Sequence, residues 1–263
     1  MQRAVAKRPA VGYDGLVRRR RPILIALAAA AALPGCATED VWRPGRAYLV
    51  RRANPEIEVG PRADPLPWRR AMVIRDFVVP VTHASARDAT EMRMLWDDRC
   101  LYVRFTARDG DLRGTYTGRA DPLWREDVVE VFLRPGPDRR RYYEFEVNPI
   151  GTLLALRIPE GHTTFDERAR WAHHVRAAAG AEGTPNDPGD RDRSFTVVLA
   201  VPWADLDFAG ARAPAPGDVW QFIGARCNLS ADLPGGRELS ACVPLSKVDF
   251  HLLSAYPSMR FAE

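Results

Sequence analysis

The strongest constraint on this chain is a two-residue alternation that recurs along it. In 127–134, Val129, Val131 and Leu133 share one parity, and Val128, Glu130, Phe132 and Arg134 the other. After the loop Pro135-Gly136-Pro137-Asp138, Tyr143, Phe145 and Val147 alternate with Tyr142, Glu144, Glu146 and Asn148. Successive strand side chains point to opposite faces, so this pattern specifies a β-hairpin rather than a helix. A second hairpin turns at Asp97-Asp98-Arg99, with Met92, Met94 and Trp96 before it and Leu101, Val103, Phe105 and Ala107 after it. Further strands are predicted over 152–158, 195–201, 220–229 and 239–243. Strands at this spacing with Gly/Pro turns predict an all-β chain, an antiparallel β-sandwich of jelly-roll-like form. The breaker-rich stretch 180–194 reads as a surface loop.

The first 35 residues are built differently. Arg18 to Arg21 precede the apolar run Ile23–Leu33, which is followed by Pro34, Gly35 and Cys36. A basic segment, a short apolar segment and a small-residue cleavage site describe a secretory signal. As a helix the apolar run would rise only about 16 Å, short of a bilayer. The segment resembles a bacterial lipobox, which implies lipidation at Cys36 and a protein exported and lipid-anchored in the cell envelope. With Ala37 next, sorting favours the outer membrane where the cell has one. The expected organisation is a signal peptide over 1–35, a lipidated tether over 36–45 and one domain over 46–263.

This leader also explains the charge. The chain carries a net charge of +4, but seven Lys and Arg against the single acid Asp14 fall before residue 36. The remainder is slightly acidic, so the basic pI is no argument for a nucleic-acid partner. Export would leave Cys100, Cys227 and Cys242 in an oxidising compartment. Cys227 and Cys242 lie on strand-like segments joined by a turn and could form a disulfide; the alternative is three buried thiols. No Cys/His spacing suggests zinc. No cofactor is expected. Calcium is a candidate at Asp109-Gly110-Asp111, although no complete calcium loop surrounds it.

The succession Leu95-Trp96-Asp97-Asp98, Leu101-Tyr102-Val103, Trp124-Arg125-Glu126-Asp127-Val128-Val129-Glu130-Val131-Phe132 and Tyr143-Glu144-Phe145-Glu146-Val147-Asn148-Pro149-Ile150-Gly151 resembles the carbohydrate-binding module family 9-like domains. Val201-Pro202-Trp203-Ala204-Asp205-Leu206, Gly217-Asp218-Val219-Trp220, Arg226, Glu238-Leu239-Ser240-Ala241, Phe250-His251 and Met259-Arg260-Phe261 continue the likeness over roughly 46–263. The resemblance implies a β-sandwich that binds poly- or oligosaccharides, plant-type ones among them, without catalysis, in the context of polysaccharide catabolism. It implies Trp124 as a sugar-stacking wall and Glu130 as an acceptor for sugar hydroxyls. Glu146 stands where the family places an arginine. Cys242 stands where many relatives have the second tryptophan of the clamp.

Trp124, Glu130, Glu146, Asn148 and Arg226 are therefore the candidate ligand-binding residues. Three other functions compete with sugar binding. One is an envelope interaction module whose sugar site has degenerated. Another is a glycoside hydrolase pairing Glu130 with Glu144 or Glu146. The last is a haem domain built from Met92 or Met94 with His173 or His251, residues that read better as core and loop.

Overall fold

The structure, a computed structural model, describes residues 39–136 and 140–263. The signal peptide, Cys36 and the next two residues of the expected tether lie outside the described residues. Eleven strands are found among them: β1 (Tyr48–Arg52), β2 (Thr90–Trp96), β3 (Cys100–Arg108), β4 (Val128–Arg134), β5 (Tyr142–Val147), β6 (Leu153–Ile158), β7 (Arg176–Glu182), β8 (Ser194–Pro202), β9 (Val219–Leu229), β10 (Arg237–Ala241) and β11 (Ser258–Ala262). A five-residue helix, α1 (Phe165–Ala169), precedes β7. The chain is all-β in class, as the alternation predicts.

The hydrogen-bonded order is β6-β5-β4-β9-β11-β1-β2-β3-β8-β7, with β10 also on β9. Pairing is not antiparallel throughout, because β1 runs parallel to both β11 and β2. Residues 53–89 make the long return that a parallel neighbour requires. The breaker-rich stretch begins inside β7, whose Ala- and Gly-rich sequence shows no hydrophobic contrast to read.

Register explains how this sheet acquires an interior. Both predicted hairpins form in the expected register: Met94 faces Val103, and Glu130 faces Glu146. The Asp97 carboxylate accepts the N–H groups of Arg99 and Cys100, each at 2.8 Å, so the aspartate pair serves the turn. Strand β9 pairs with β4 along its length. On its other side it holds β11 at Val219–Gln221 and β10 at Ala225–Leu229.

One face of β9 packs against β2, three places along the order. A Cβ at Gly224 would come within 2.5 Å of Met92 Sδ, so this approach requires glycine. Tyr48 and Trp42 meet Phe222 at ring-centroid distances of 5.8 and 6.0 Å. Trp42 is buried although it lies within the stretch expected to be tether. Trp68, Trp96, Trp203 and Trp220 are buried, and so, as expected, are Met92 and Met94.

Candidate functional site

The second face of β4, β5 and β9 forms the floor of a cavity of about 360 Å³. Alternation puts Glu130 and Phe132 of β4, Glu144 and Glu146 of β5 and Cys227 of β9 on that face. The opposite parity, Val129, Val131 and Phe145, is buried on the other side. Three more segments wall the cavity: the turn bearing Trp124, the helix bearing Phe165 and Arg168, and the 248–251 segment with Phe250 and His251.

Local chemistry holds each wall in place. Trp124 sits in a short helical turn just after Pro122. Its carbonyl accepts from Arg237 Nη2 at 2.9 Å. A capping box starts α1: Thr164 Oγ1 accepts the Glu167 N–H at 3.2 Å, and Glu167 accepts the Thr164 N–H at 2.7 Å. That cap fixes Phe165, whose ring meets the half-buried Trp124 edge-on at 5.4 Å and 72°. The Asp249 carboxylate accepts the His251 N–H at 2.9 Å. The His251 ring stands edge-on to Phe132 at 5.5 Å.

At the floor, ligand oxygens of Glu130, Glu144 and Glu146 lie within 4.8 Å of one another. All three side chains are buried. Desolvation, then the neighbouring Glu144 charge, pushes Glu130 up to about 8. Glu146 is raised well above the usual carboxylate range by burial and by both neighbouring glutamates. Glu144 is raised by burial, against the opposing pull of His251.

Their partners are few. Cys227 Sγ donates to Glu130 Oε1 at 3.4 Å. His251 Nδ1 lies 3.9 Å from Glu144 Oε2 and 2.9 Å from the Tyr142 hydroxyl. Oε2 of Glu144 and Oε2 of Glu146 are buried without a hydrogen-bond partner. Such a floor can accept bonds from ligand hydroxyls, or donate them where a carboxyl holds its proton. A glycosidase pair instead flanks a bond with carboxyls about 5–5.5 Å or more apart. These three crowd together on one floor.

The structure brings together Trp124, Glu130 and Glu146 from the sequence-based set, with Glu144 beside them. Asn148 and Arg226 lie elsewhere. Asn148 donates to Glu126 Oε1 at 2.7 Å and to the Tyr116 carbonyl at 3.0 Å, and it accepts the Thr152 N–H, so it locks the turn after β5. Arg226 is next to Cys227 and therefore faces the opposite side of β9. There it donates to Asp109 Oδ2 at 2.8 Å and Thr90 Oγ1 at 3.2 Å. The Asp109 carboxylate also accepts the Asp111 N–H.

Of the two alternatives for the cysteines, the structure has the three buried thiols: Cys100, Cys227 and Cys242 are free, and no Cys227–Cys242 disulfide forms. Parity gives the reason. Cys242 lies beside Gly224, whose N–H its sulfur accepts at 3.2 Å. Gly224 and Cys227 are three residues apart on β9, so they face opposite sides about 10 Å apart along the strand. A disulfide needs its Cα atoms within about 7 Å. Cys242 therefore lies in the core and forms no cavity wall.

Sequence reasoning overlooked Phe165, Arg168, Arg237 and Asp249. For the first two a signal existed: Thr164-Phe165-Asp166-Glu167 is a capping-box sequence. Nothing local marks Arg237 or Asp249, whose positions depend on long-range closure.

An aromatic-walled, carboxylate-floored cavity of this size has the dimensions of a small-ligand site. Residues 62–185 match the family described as carbohydrate family 9 binding domain-like. Over that stretch the chain is similar to the carbohydrate-binding module family 9-like domains. Its fold is similar to that of a protein from Bacteroides uniformis described as a candidate carbohydrate-binding protein. That likeness has a TM-score of 0.62 at 16% identity, covering 82% of this chain and 99% of the other. It is also similar to a family 9 carbohydrate-binding module from Caldicellulosiruptor kristjanssonii in complex with cellotriose, with a TM-score of 0.54, 14% identity and coverage of 82% and 94%. The complex of such a module with glucose from the same organism gives 0.51, 15%, 82% and 95%. No curated protein matches the chain.

Proposed function

We propose that this protein binds a poly- or oligosaccharide without catalysis, in the cavity between Trp124 and the glutamate floor. The observation that carries the reading is the meeting of the half-buried Trp124 with three buried carboxylates in a cavity of about 360 Å³. An aromatic face covers the apolar side of a sugar ring, and carboxylates accept its hydroxyls. The family and the sugar complexes of the fold's relatives support it. We read the sheet as a sandwich, supported by the packing of Met92 on Gly224 and the reach of Arg226 to Thr90. The wall expected from position 242 is supplied in this reading by Phe165 or Phe250.

Calorimetric titration with glucose and cello-oligosaccharides tests the proposal. Trp124→Ala should weaken binding by about 1–3 kcal/mol, as a contact residue does. Unchanged affinity in a folded Trp124→Ala protein would refute this site. Calorimetry that finds no sugar bound by the native protein would favour the degenerate interaction module.

The same proposal places the protein in the cell envelope, outer membrane where present, on a lipid at Cys36, with the domain following a short tether. The leader supports this, as Arg18–Arg21, Ile23–Leu33 and Cys36 stand in lipobox order. Cys36→Ala should abolish metabolic lipid labelling, and persistent labelling would exclude this anchor.

A further inference from the structure

We propose that Glu130, Glu144 and Glu146 form a site for a divalent, oxygen-seeking cation of the Ca²⁺ class at the floor of the cavity. The inference goes beyond sugar binding and rests on geometry alone.

The first observation is spacing. One oxygen from each glutamate lies within 4.8 Å of the other two. Ca²⁺ takes oxygen ligands at about 2.3–2.6 Å, so oxygens that share one ion stand within about 5 Å of one another. Mg²⁺ usually keeps several waters and is held by one or two carboxylates, so three protein carboxyls suit Ca²⁺ better.

The second observation is independent of the clustering. Glu144 and Glu146 are 4% and 1% exposed. Each nevertheless leaves Oε2 buried without a hydrogen-bond partner. A buried acceptor of this kind is costly, more so when charged, unless something completes it. Among the described residues, no lysine or arginine forms an ion pair with any of the three glutamates; only His251 approaches, at 3.9 Å from Glu144.

The nearby cationic side chains are engaged elsewhere. Arg237 donates to the Trp124 carbonyl and to Cys227 Sγ. Arg168 donates to Thr163 Oγ1 at 2.9 Å. Three carboxyls crowded on one floor without a guanidinium between them can ionise together only against mutual repulsion, which a bound divalent ion offsets. The cavity above leaves the ion's remaining positions open to water or to ligand hydroxyls.

The test is calorimetric titration of the chelator-stripped protein with CaCl₂. One ion per chain should bind with a Kd of about 10⁻⁴ M, in the range of open extracellular sites. Affinity at oxygen sites follows the number of charged ligands, so Glu130→Gln and Glu146→Gln should each weaken it at least about tenfold. Thermal unfolding of both variants verifies that they fold. Tb³⁺ emission excited through tryptophan gives a positional readout, because Trp124 adjoins the floor and Trp124→Leu should remove most of the signal. Asp111→Asn should change neither measurement.

Absence of binding at millimolar CaCl₂ would overturn the site. So would affinity retained in both glutamine variants, or affinity lost only in Asp111→Asn. Sugar titration with and without chelator separates this inference from the sugar reading. Sugar bound with no Ca²⁺ bound sinks the cation alone, and Ca²⁺ bound with no sugar bound sinks the carbohydrate reading alone.

Discussion

Two clusters of buried charge lie on opposite sides of the β4/β9 pair, and they are answered differently. On the inner side, Arg226 and Asp109 are each about 1% exposed at the side chain and bond at 2.8 Å. Thr90 Oγ1 takes a second guanidinium hydrogen, although Arg226 Nε has no partner. On the outer side, three glutamates share a floor, touched by a thiol, a distant imidazole, the Trp124 backbone and one another, with the Arg237 and Arg168 charges acting from farther off and no ion pair to Lys or Arg. Burial alone therefore does not mark function here. A buried charge met by its opposite ties strands together, and buried acids with no cation beside them hold their protons or await something from outside.

The contrast breaks most visibly at Arg226. Arg226→Ala would leave Asp109 buried and unpaired, which typically costs about 3–5 kcal/mol. Chemical denaturation should show that loss, while molecules that remain folded keep their affinity for sugar. A variant as stable as the parent but unable to bind sugar would return Arg226 to the binding site.

The outer cluster should appear in the pH dependence of stability. Glu130 holds its proton up to about pH 8 in the native state, against an ordinary value of 4.5. Between those values the unfolded chain has released the proton and the native chain has not. Stability is therefore fully present below pH 4.5 and declines as pH rises toward 8. One such group contributes a slope of about 1.4 kcal/mol per pH unit. Glu144 and Glu146 are shifted in the same direction. Glu130→Gln, which cannot ionise, should make the decline shallower in chelator-containing buffer, while the slope from Asp127, pushed up to about 8 by burial and by Asp109, remains. A wild-type stability that rises steadily from pH 5 to 8 would show that the floor is ionised and its charge compensated.

Legibility in the sequence depends on the range of the signal. Parity within the strands is enough to put Glu130, Glu144 and Glu146 on one face. The same parity, applied to β9, separates Arg226 from Cys227. Family likeness points to Arg226 as a ligand contact, and counting along the strand contradicts it. The Cys227–Cys242 pair fails for a related reason: register depends on which β10 residue faces which β9 residue, and alternation cannot set that offset. Burial of the glutamate face is not legible, because the covering segments come from 165–168 and 248–251, far along the chain. Asn148 shows the opposite limit. It shares parity with Glu146, but lies past the end of β5, where its amide turns to Glu126 and the Tyr116 carbonyl.

The smallest expected effect sharpens the contrast between the two cysteines. Cys227 touches the outer cluster, and its thiol donation holds Glu130 below where burial alone would place it. Cys242 accepts the Gly224 N–H on the inner side and touches no carboxylate. Cys227→Ala removes a donor from Glu130, so the proton should be held more tightly and the decline in stability should extend to higher pH. A single weak hydrogen bond limits the change to about 1 kcal/mol, less than one pH unit of displacement. Cys242→Ala should lower stability by a similar amount at every pH and leave the profile's shape unchanged. Denaturant midpoints of both variants at half-unit steps between pH 5 and 9 would distinguish a shifted curve from a lowered one. A shift in both would mean that the two sides of β9 communicate, and the contrast drawn between them would fail.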